Sequence, residues 1–438
     1  MIAAAAPASG PLHGRVRVPG DKSISHRAVL FAAMAEGTSR ITGLLDSADV
    51  RSTLAAAAAL GAEVEIVAAR AEGLDVIVRG WGALGPRPGA DPIDCGNSGT
   101  TCRLLMGVLA PWPVRVTLTG DESLSRRPMR RVTDPLTSMG ARFTTTEGHL
   151  PVTVEGAPLR ALHYEMPVAS AQVKTAVLLA GLFARGVTTV VEPALSRDHT
   201  ERLLPAFGVG VGRDVAARTC WVSGGAQLQS SDVAVPADPS SAAFLAGVAA
   251  IVPGSEVELA DVALNPTRMG FVHVLERMGA DITVTVMHAT GAEPAGTVLV
   301  RYAEGLHGTV VDAAEVPSLV DEVPLLAVVA TQASGLMRFE GVGELRVKES
   351  DRLAAIVDGL TALGATARVV GDTLEVEGPR ALHGGALSSL GDHRLAMSWA
   401  VAALVASSPV EIERWEAVDV SYPGFARDVA GLAGEAAS

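Results

Sequence analysis

Several short polar segments carry residue types that could gather an anion. GDKSISHR sets Lys22, Ser23 and Arg27 within two turns of a helix start, so an ammonium, a hydroxyl and a guanidinium can converge on one phosphate or carboxylate. GNSGTT supplies Asn97, small hydroxyl residues and Gly99, whose missing side chain lets a ligand approach the backbone. SLSRRPMRR crowds Arg126, Arg127, Arg130 and Arg131 together, and like charges this close favour a counter-anion. At least one of the four should face ligand, although the apolar register does not say which. KESDRL places Lys348, Glu349 and Arg352 at a helix start, with Arg352 three positions after Glu349 and on the same side.

GDHRLAM offers His393 and Arg394 at another helix start, and PSLVDEVP offers Asp321 and Glu322 between two prolines. Asp321 reads either as a helix cap or as a carboxylate put to use beside anions; Glu322 reads as solvated or as a partner of the helix dipole. Patterns for zinc hydrolysis, a serine nucleophile elbow, a phosphate-binding Walker loop and a dinucleotide fold are absent.

The elements that must position these residues emerge from an internal repeat. Six copies of about 70 residues each show a helix of apolar period 3.6, a turn with a small residue and an alternating strand, as in LFAAMAEGTSRITGL and VLLAGLFARGVTTVVEP. After five of them comes a second helix that ends on a glycine, then a strand pair. The polar segments sit just before the repeat helices. Helix starts present unpaired N–H groups and partial positive charge, so segments of this kind at equivalent places predict two globules of three βαβαββ-like units facing an anion-binding cleft. The expected division is 21–229 for the first globule and 1–20 plus 230–438 for the second, the N-terminal strand in LHGRVRVPG and the helical FARDVAGLAGEAAS meeting in the latter.

Composition agrees with a folded α/β protein. In 438 residues, apolar types make up 48% and aromatics only 4%, with 46 glycines, which favours close helix packing over aromatic binding platforms. The net charge of −13 disfavours nucleic acid as a partner, so an anionic ligand must be drawn in by local cations. Three cysteines without a C-x-x-C spacing fit neither a disulfide framework nor a zinc site, and point to a reducing, cytoplasmic compartment. Neither a signal peptide nor a membrane span is expected.

GDKSISHRA, GNSGTT, RRPM, SAQVK, SRDHTE, KESDRL and GDHRLAM, in this order over nearly the whole chain, closely resemble the EPSP synthase family of 3-phosphoshikimate 1-carboxyvinyltransferases. The resemblance implies a two-domain inside-out α/β barrel acting on shikimate 3-phosphate and phosphoenolpyruvate in the shikimate pathway to chorismate and aromatic amino acids. It implies no metal and no organic cofactor; the expected partners are the two small-molecule substrates, with no nucleic acid or membrane, and the expected state is a monomer. By position, Lys22, Ser23, Arg27, Ser170, Gln172, Arg197, Asp321 and Lys348 would hold shikimate 3-phosphate. Lys22, Asn97, Gly99, Arg127, Gln172, Arg352, His393 and Arg394 would hold phosphoenolpyruvate or its departing phosphate. Asp321 would be the base, and Glu349 with Lys22 the acid.

The chain departs from one branch of the family at Ala171, at Arg197 where that branch has tyrosine, and at Val420 where it has lysine. The other branch, which contains glyphosate-tolerant members, resembles the chain at the first two; alanine in place of Gly99 accompanies tolerance. Two alternatives remain. The sister transferase acting on UDP-N-acetylglucosamine uses a loop cysteine as its acid, whereas SLSRRPM has none. A non-catalytic anion-binding scaffold would not need the Asp321 and Glu349 carboxylates.

Overall fold

A computed structural model describes residues 1–287 and 293–434. The last residues of the expected C-terminal helix, 435–438, lie outside them; the helix itself spans Phe425–Leu432. The chain divides into two compact units. Among the described residues, one comprises Gly20–Val235 with Glu293, and the other Met1–Pro19, 236–287 and 294–434. Each is built from three sheets around three central helices.

The first unit holds the helices Lys22–Met34, Gly99–Leu109 and Ala171–Gly181; the second holds Pro239–Ile251, Val323–Ala330 and His393–Leu404. The sequence predicts an apolar stripe on each, but the structure buries nearly their whole circumference. Every residue of Pro239–Ile251 is buried. A helix that is apolar all round belongs inside a core, and these centre the units while the sheets form their outer layers. Small residues make the packing possible: a Cβ on Gly107 would lie 2.3 Å from the carbonyl oxygen of Ala176 on the neighbouring helix, so the two backbones touch. The second helices follow the expected stripe; Arg130–Met139 buries Val132, Thr133, Leu136 and Met139 at helical spacing. The glycines that end the five second helices, Gly61, Gly140, Gly208, Gly279 and Gly364, have φ between 79° and 121°, as a helix stop requires.

Five sheets have four strands in one repeated order. In the second repeat, Ile93–Asp94 pairs parallel with Arg115–Thr119, which pairs antiparallel with His149–Glu155, which in turn pairs with Arg142–Thr146. The leading strands of two sheets are exchanged along the chain. His13–Val16 precedes the Lys22 helix in sequence but pairs with Glu256–Ala263, and Val233–Ala234 precedes the Pro239 helix but pairs with Thr38–Leu44. The sixth sheet has three strands, and its third place is filled from the N-terminus: Ile2–Ala5 pairs antiparallel with Val410–Glu413. Only one N-terminal strand was expected. Its sequence, IAAA, carries no alternation, so nothing in its pattern marks it as a strand.

No helix among the described residues is long and apolar enough to cross a membrane. Cys95, Cys102 and Cys220 are free and buried, the first two flanking the GNSGTT turn and interacting with each other.

Candidate active site

At five of the six central helices a polar cap sets the start: the side chains of Asp21, Ser98, Ser170, Asp238 and Asp392 each accept a hydrogen bond from an amide in the first turn. Such caps contribute about 1 kcal/mol each and fix where the next side chains emerge. The sixth start, at Val323, has no side-chain cap, so Asp321 is not spent on one.

In the first unit, Lys22 begins its helix and its Nζ lies 2.5 Å from Asp49 Oδ2. Asp49 is buried, and its other oxygen has no hydrogen-bond partner. Sequence reasoning missed it, because the contact joins two helices and leaves no local spacing. Arg27, about one turn beyond Ser23, is buried more deeply than a ligand-facing residue would suggest. It donates to Ser23 O at 2.9 Å, Thr175 Oγ1 at 2.8 Å and Thr200 Oγ1 at 2.8 Å. Burial lowers its pKa to about 10, with the charge of Arg197 adding to the effect and Glu201 and Asp21 opposing it. Arg27 lies behind the first turn, bonded to the Ser23 carbonyl, whereas Lys22 and Ser23 are partly exposed.

The GNSGTT turn assembles with residues from two other segments. Asn97 accepts from Arg127 Nη2 at 2.8 Å and donates to Asp121 at 2.7 Å. Of the arginines in SLSRRPMRR, Arg127 bonds to Asn97, whereas Arg126 is exposed and paired with Glu122, Arg130 is exposed and Arg131 is half-buried. Gln172 Oε1 accepts from Arg103 at 2.7 Å and its Nε2 donates to Thr100 at 2.9 Å, which fixes the orientation of the amide. Arg103 was also missed. It lies four residues after Gly99 on the same helix, a spacing that could have marked it. An ideal Cβ on Gly99 would lie 3.1 Å from Arg103 and 3.3 Å from Arg127, so Gly99 faces the two guanidinium tips. Ser170 caps its own helix, accepting from Val173 N, and Arg197 is half-buried just before the His199–Leu203 helix.

The second unit brings together the other predicted residues. Asp321 faces three cations: Arg352 at 3.1 Å, Arg394 at 3.7 Å and Lys348 at 3.8 Å. Glu349 lies 2.6 Å from Arg352, and Asp392 2.7 Å from it on another side. Burial works to lower the pKa of Arg352, but Asp392, Glu349 and Asp321 outweigh it and hold the guanidinium firmly charged. The helix begins at Arg352, so Lys348 and Glu349 lie on the preceding segment and not within the first turn as expected. Lys348 also pairs with Glu344 at 3.4 Å. His393 and Arg394 open the His393–Leu404 helix, and both are mostly buried.

Glu322 corrects its expectation: it is buried, neither solvated nor merely near a dipole. Ser240 donates to it and Arg394 Nη1 approaches to 3.3 Å. Ser240 and Asp238 in turn accept from Arg268, so the polar segment PADPSS is filled by its own protein partners. Val420 ends the Trp415–Val420 turn, half-buried and without charge.

In the first unit cations, amides and hydroxyls are gathered around Gly99, and in the second two carboxylates are anchored on one guanidinium, groups of the kind that acid–base chemistry on anions uses. Comparison with known proteins points the same way. The model of the family EPSP synthase (3-phosphoshikimate 1-carboxyvinyltransferase) matches residues 7–429. A 3-phosphoshikimate 1-carboxyvinyltransferase of Halorhodospira halophila is 51% identical over 418 residues, covering 95% of this chain and 93% of that protein. One of Alkalilimnicola ehrlichii is 49% identical over 429 residues, 98% of this chain and 94% of that protein. Among solved structures, EPSP synthase of Acinetobacter baumannii superposes with a TM-score of 0.86 at 40% identity, covering 98% of this chain and 97% of that one. The enolpyruvyl transferase NikO of Streptomyces tendae shares the fold, with a TM-score of 0.79 at 18% identity over 98% of this chain and 97% of that one. The chain belongs to the EPSP synthase family, the 3-phosphoshikimate 1-carboxyvinyltransferases.

Proposed function

We propose that the protein transfers the enolpyruvyl group of phosphoenolpyruvate to the 5-hydroxyl of shikimate 3-phosphate and releases phosphate, with the residues named above in the following roles. Asp321 takes the proton of the 5-hydroxyl as its oxygen bonds to C2 of phosphoenolpyruvate. Glu349, with Lys22, gives a proton to the methylene carbon, and a tetrahedral ketal results. In the second half the methyl group returns a proton, the C2–O bond to phosphate breaks, and the enol ether and inorganic phosphate leave. Atoms and charge balance without a redox partner.

The observation that carries this reading is the Arg352 guanidinium, which holds Asp321 at 3.1 Å and Glu349 at 2.6 Å. One rigid cation thereby orients both groups proposed for proton transfer. Lys22, Ser23, Arg27, Ser170, Gln172, Arg197 and Lys348 supply the cations, hydroxyls and amide for shikimate 3-phosphate, with Asp321. Lys22, Asn97, Gly99, Arg127, Gln172, Arg352, His393 and Arg394 serve phosphoenolpyruvate and its phosphate. Fixed donors of this kind stabilise charge as it develops and require little reorganisation during the reaction.

The test is phosphate release from phosphoenolpyruvate with and without shikimate 3-phosphate, and with UDP-N-acetylglucosamine as a second acceptor. Release only with shikimate 3-phosphate is expected. Release only with the nucleotide sugar, or none with either, refutes the assignment. The reading extends to a monomer working on two dissolved substrates in the cytoplasm, where the three free cysteines suit a reducing compartment. Light scattering on the purified protein checks the monomer.

A further inference from the structure

SAQVK ends in a lysine to which the reaction gives no role, and the structure places it under the shikimate 3-phosphate residues of the first unit. We propose that Lys174 is a positioning residue for that substrate: its buried ammonium holds Arg27 and Arg197 in place through two carboxylates, Glu201 and Glu192. The proposal rests on the substrate assignment above.

Lys174 lies one turn after Ser170, whose carbonyl its amide contacts at 3.0 Å, and its side chain is 1% exposed. Its Nζ lies 2.8 Å from Glu192 Oε2, 2.7 Å from Glu201 Oε1 and 3.4 Å from the carbonyl of Ser196. An ammonium has three N–H donors, and these three contacts lead to three places in the chain.

The first arm reaches Arg197. The second oxygen of Glu192 accepts from the amide of Ser196 at 3.1 Å and from its hydroxyl. Residues 192–196 are thereby closed into a loop anchored on Lys174, and Arg197 is the next residue. The second arm reaches Arg27. Thr175 and Thr200 are neighbours in sequence of Lys174 and Glu201; their hydroxyls lie 2.6 Å apart and each accepts from Arg27 at 2.8 Å. The Lys174 to Glu201 ion pair therefore runs beside the hydroxyl pair that holds the guanidinium.

Charge supports the same account. Arg27 and Lys174 balance Glu192 and Glu201, all four mostly or fully buried. Burial opposes the charge on Lys174, yet Glu201 and Glu192 outweigh it and keep the ammonium protonated. Buried ion pairs add little net stability over apolar packing of the same volume, whereas they impose a definite geometry. Here that geometry runs to two residues assigned to one substrate.

Two full-length variants test the proposal, with wild-type turnover checking the activity itself. Lys174→Met/Glu192→Gln removes one charge of each sign, so the remaining Arg27 and Glu201 stay balanced. Glu192→Gln alone keeps the side-chain shape and weakens only the Arg197 arm, removing its ion pair with Lys174 while the Ser196 carbonyl contact remains. KM for shikimate 3-phosphate should rise about tenfold in the double variant and about threefold in the single one, while KM for phosphoenolpyruvate changes less than twofold. A merely structural ion pair would lower the thermal midpoint and leave both KM values alone. The proposal is overturned if either variant, folded by circular dichroism, keeps its shikimate 3-phosphate KM within twofold of wild type, or if both KM values rise together. Glu192→Gln decides the matter should the double variant fail to fold. Wild-type inactivity toward shikimate 3-phosphate would instead refute the substrate assignment, a result that these KM ratios cannot mimic.

Discussion

The guanidinium of Arg352 stands 3.1 Å from the carboxylate of Asp321, with Arg352 itself fully buried and held from behind by Asp392. The base proposed for the reaction is therefore aimed by a group that cannot move far. Asp321→Asn preserves the size and the hydrogen-bonding reach but cannot accept the proton. We expect kcat to fall by about 10²–10⁴ with a smaller change in shikimate 3-phosphate affinity. Steady-state kinetics paired with calorimetric titration of that substrate measure both, and near-normal turnover would remove Asp321 from its role.

Lys22 and Asp49 make the second prediction. Lys22→Met leaves a buried carboxylate without its cation, so it should cost about 1–3 kcal/mol of stability as well as turnover and the affinity of both substrates. In Lys22→Met/Asp49→Asn the orphaned charge is gone. Denaturant unfolding should show stability recovered while activity stays low; recovery of activity as well would mean that Lys22 acts only through the ion pair.

Gly99 sits against two guanidinium tips, Arg103 at 3.1 Å and Arg127 at 3.3 Å from where a Cβ would be. A methyl there must push flexible side-chain ends by a few tenths of an ångström, which they can yield. The family's herbicide, glyphosate, competes with phosphoenolpyruvate and is the longer molecule, so it should meet the added methyl and the displaced guanidinium first. Wild type should be inhibited competitively with phosphoenolpyruvate, and Gly99→Ala should raise the inhibition constant by more than KM, since one overpacked methyl costs about 1–3 kcal/mol. Glyphosate titration of both proteins at fixed substrate checks this. An unchanged constant in the mutant would show that Gly99 does not border the inhibitor.

His26 gives a pH dependence. Burial, then Lys22 and Arg27, lower its pKa well below 6.5, and its Nδ1 is bonded to Thr53 at 2.6 Å. Well above pH 6.5 the imidazole is neutral in both folded and unfolded chains and adds no slope. As pH falls below that value the unfolded chain takes up a proton that the folded one refuses, and stability declines by up to about 1.4 kcal/mol per pH unit. His26→Asn, which retains an amide near Thr53, should lack this decline. Unfolding midpoints of wild type and variant should converge between pH 7 and pH 5.5; parallel curves would contradict a buried neutral His26.

The sequence by itself determined the repeat, the α/β class and the polar segments at the helix starts, because each is a local signal. A helix stop such as Gly140 or a polar segment such as KESDR is written in consecutive residues. Even the pairing of Glu349 with Arg352 could be read from spacing, although the helix begins later than the spacing assumed. Tertiary structure decided what depends on contacts distant in sequence. Asp49 beneath Lys22, Arg127 rather than its neighbours on Asn97, and Glu322 buried between Ser240 and Arg394 all join different elements. Charge pairing in a low-dielectric interior is set by which elements the core brings together, and no periodicity in the chain encodes that. The N-terminal strand Ile2–Ala5 shows the same rule in the backbone: four residues without any pattern become a strand where they meet the free edge of Val410–Glu413, distant in sequence.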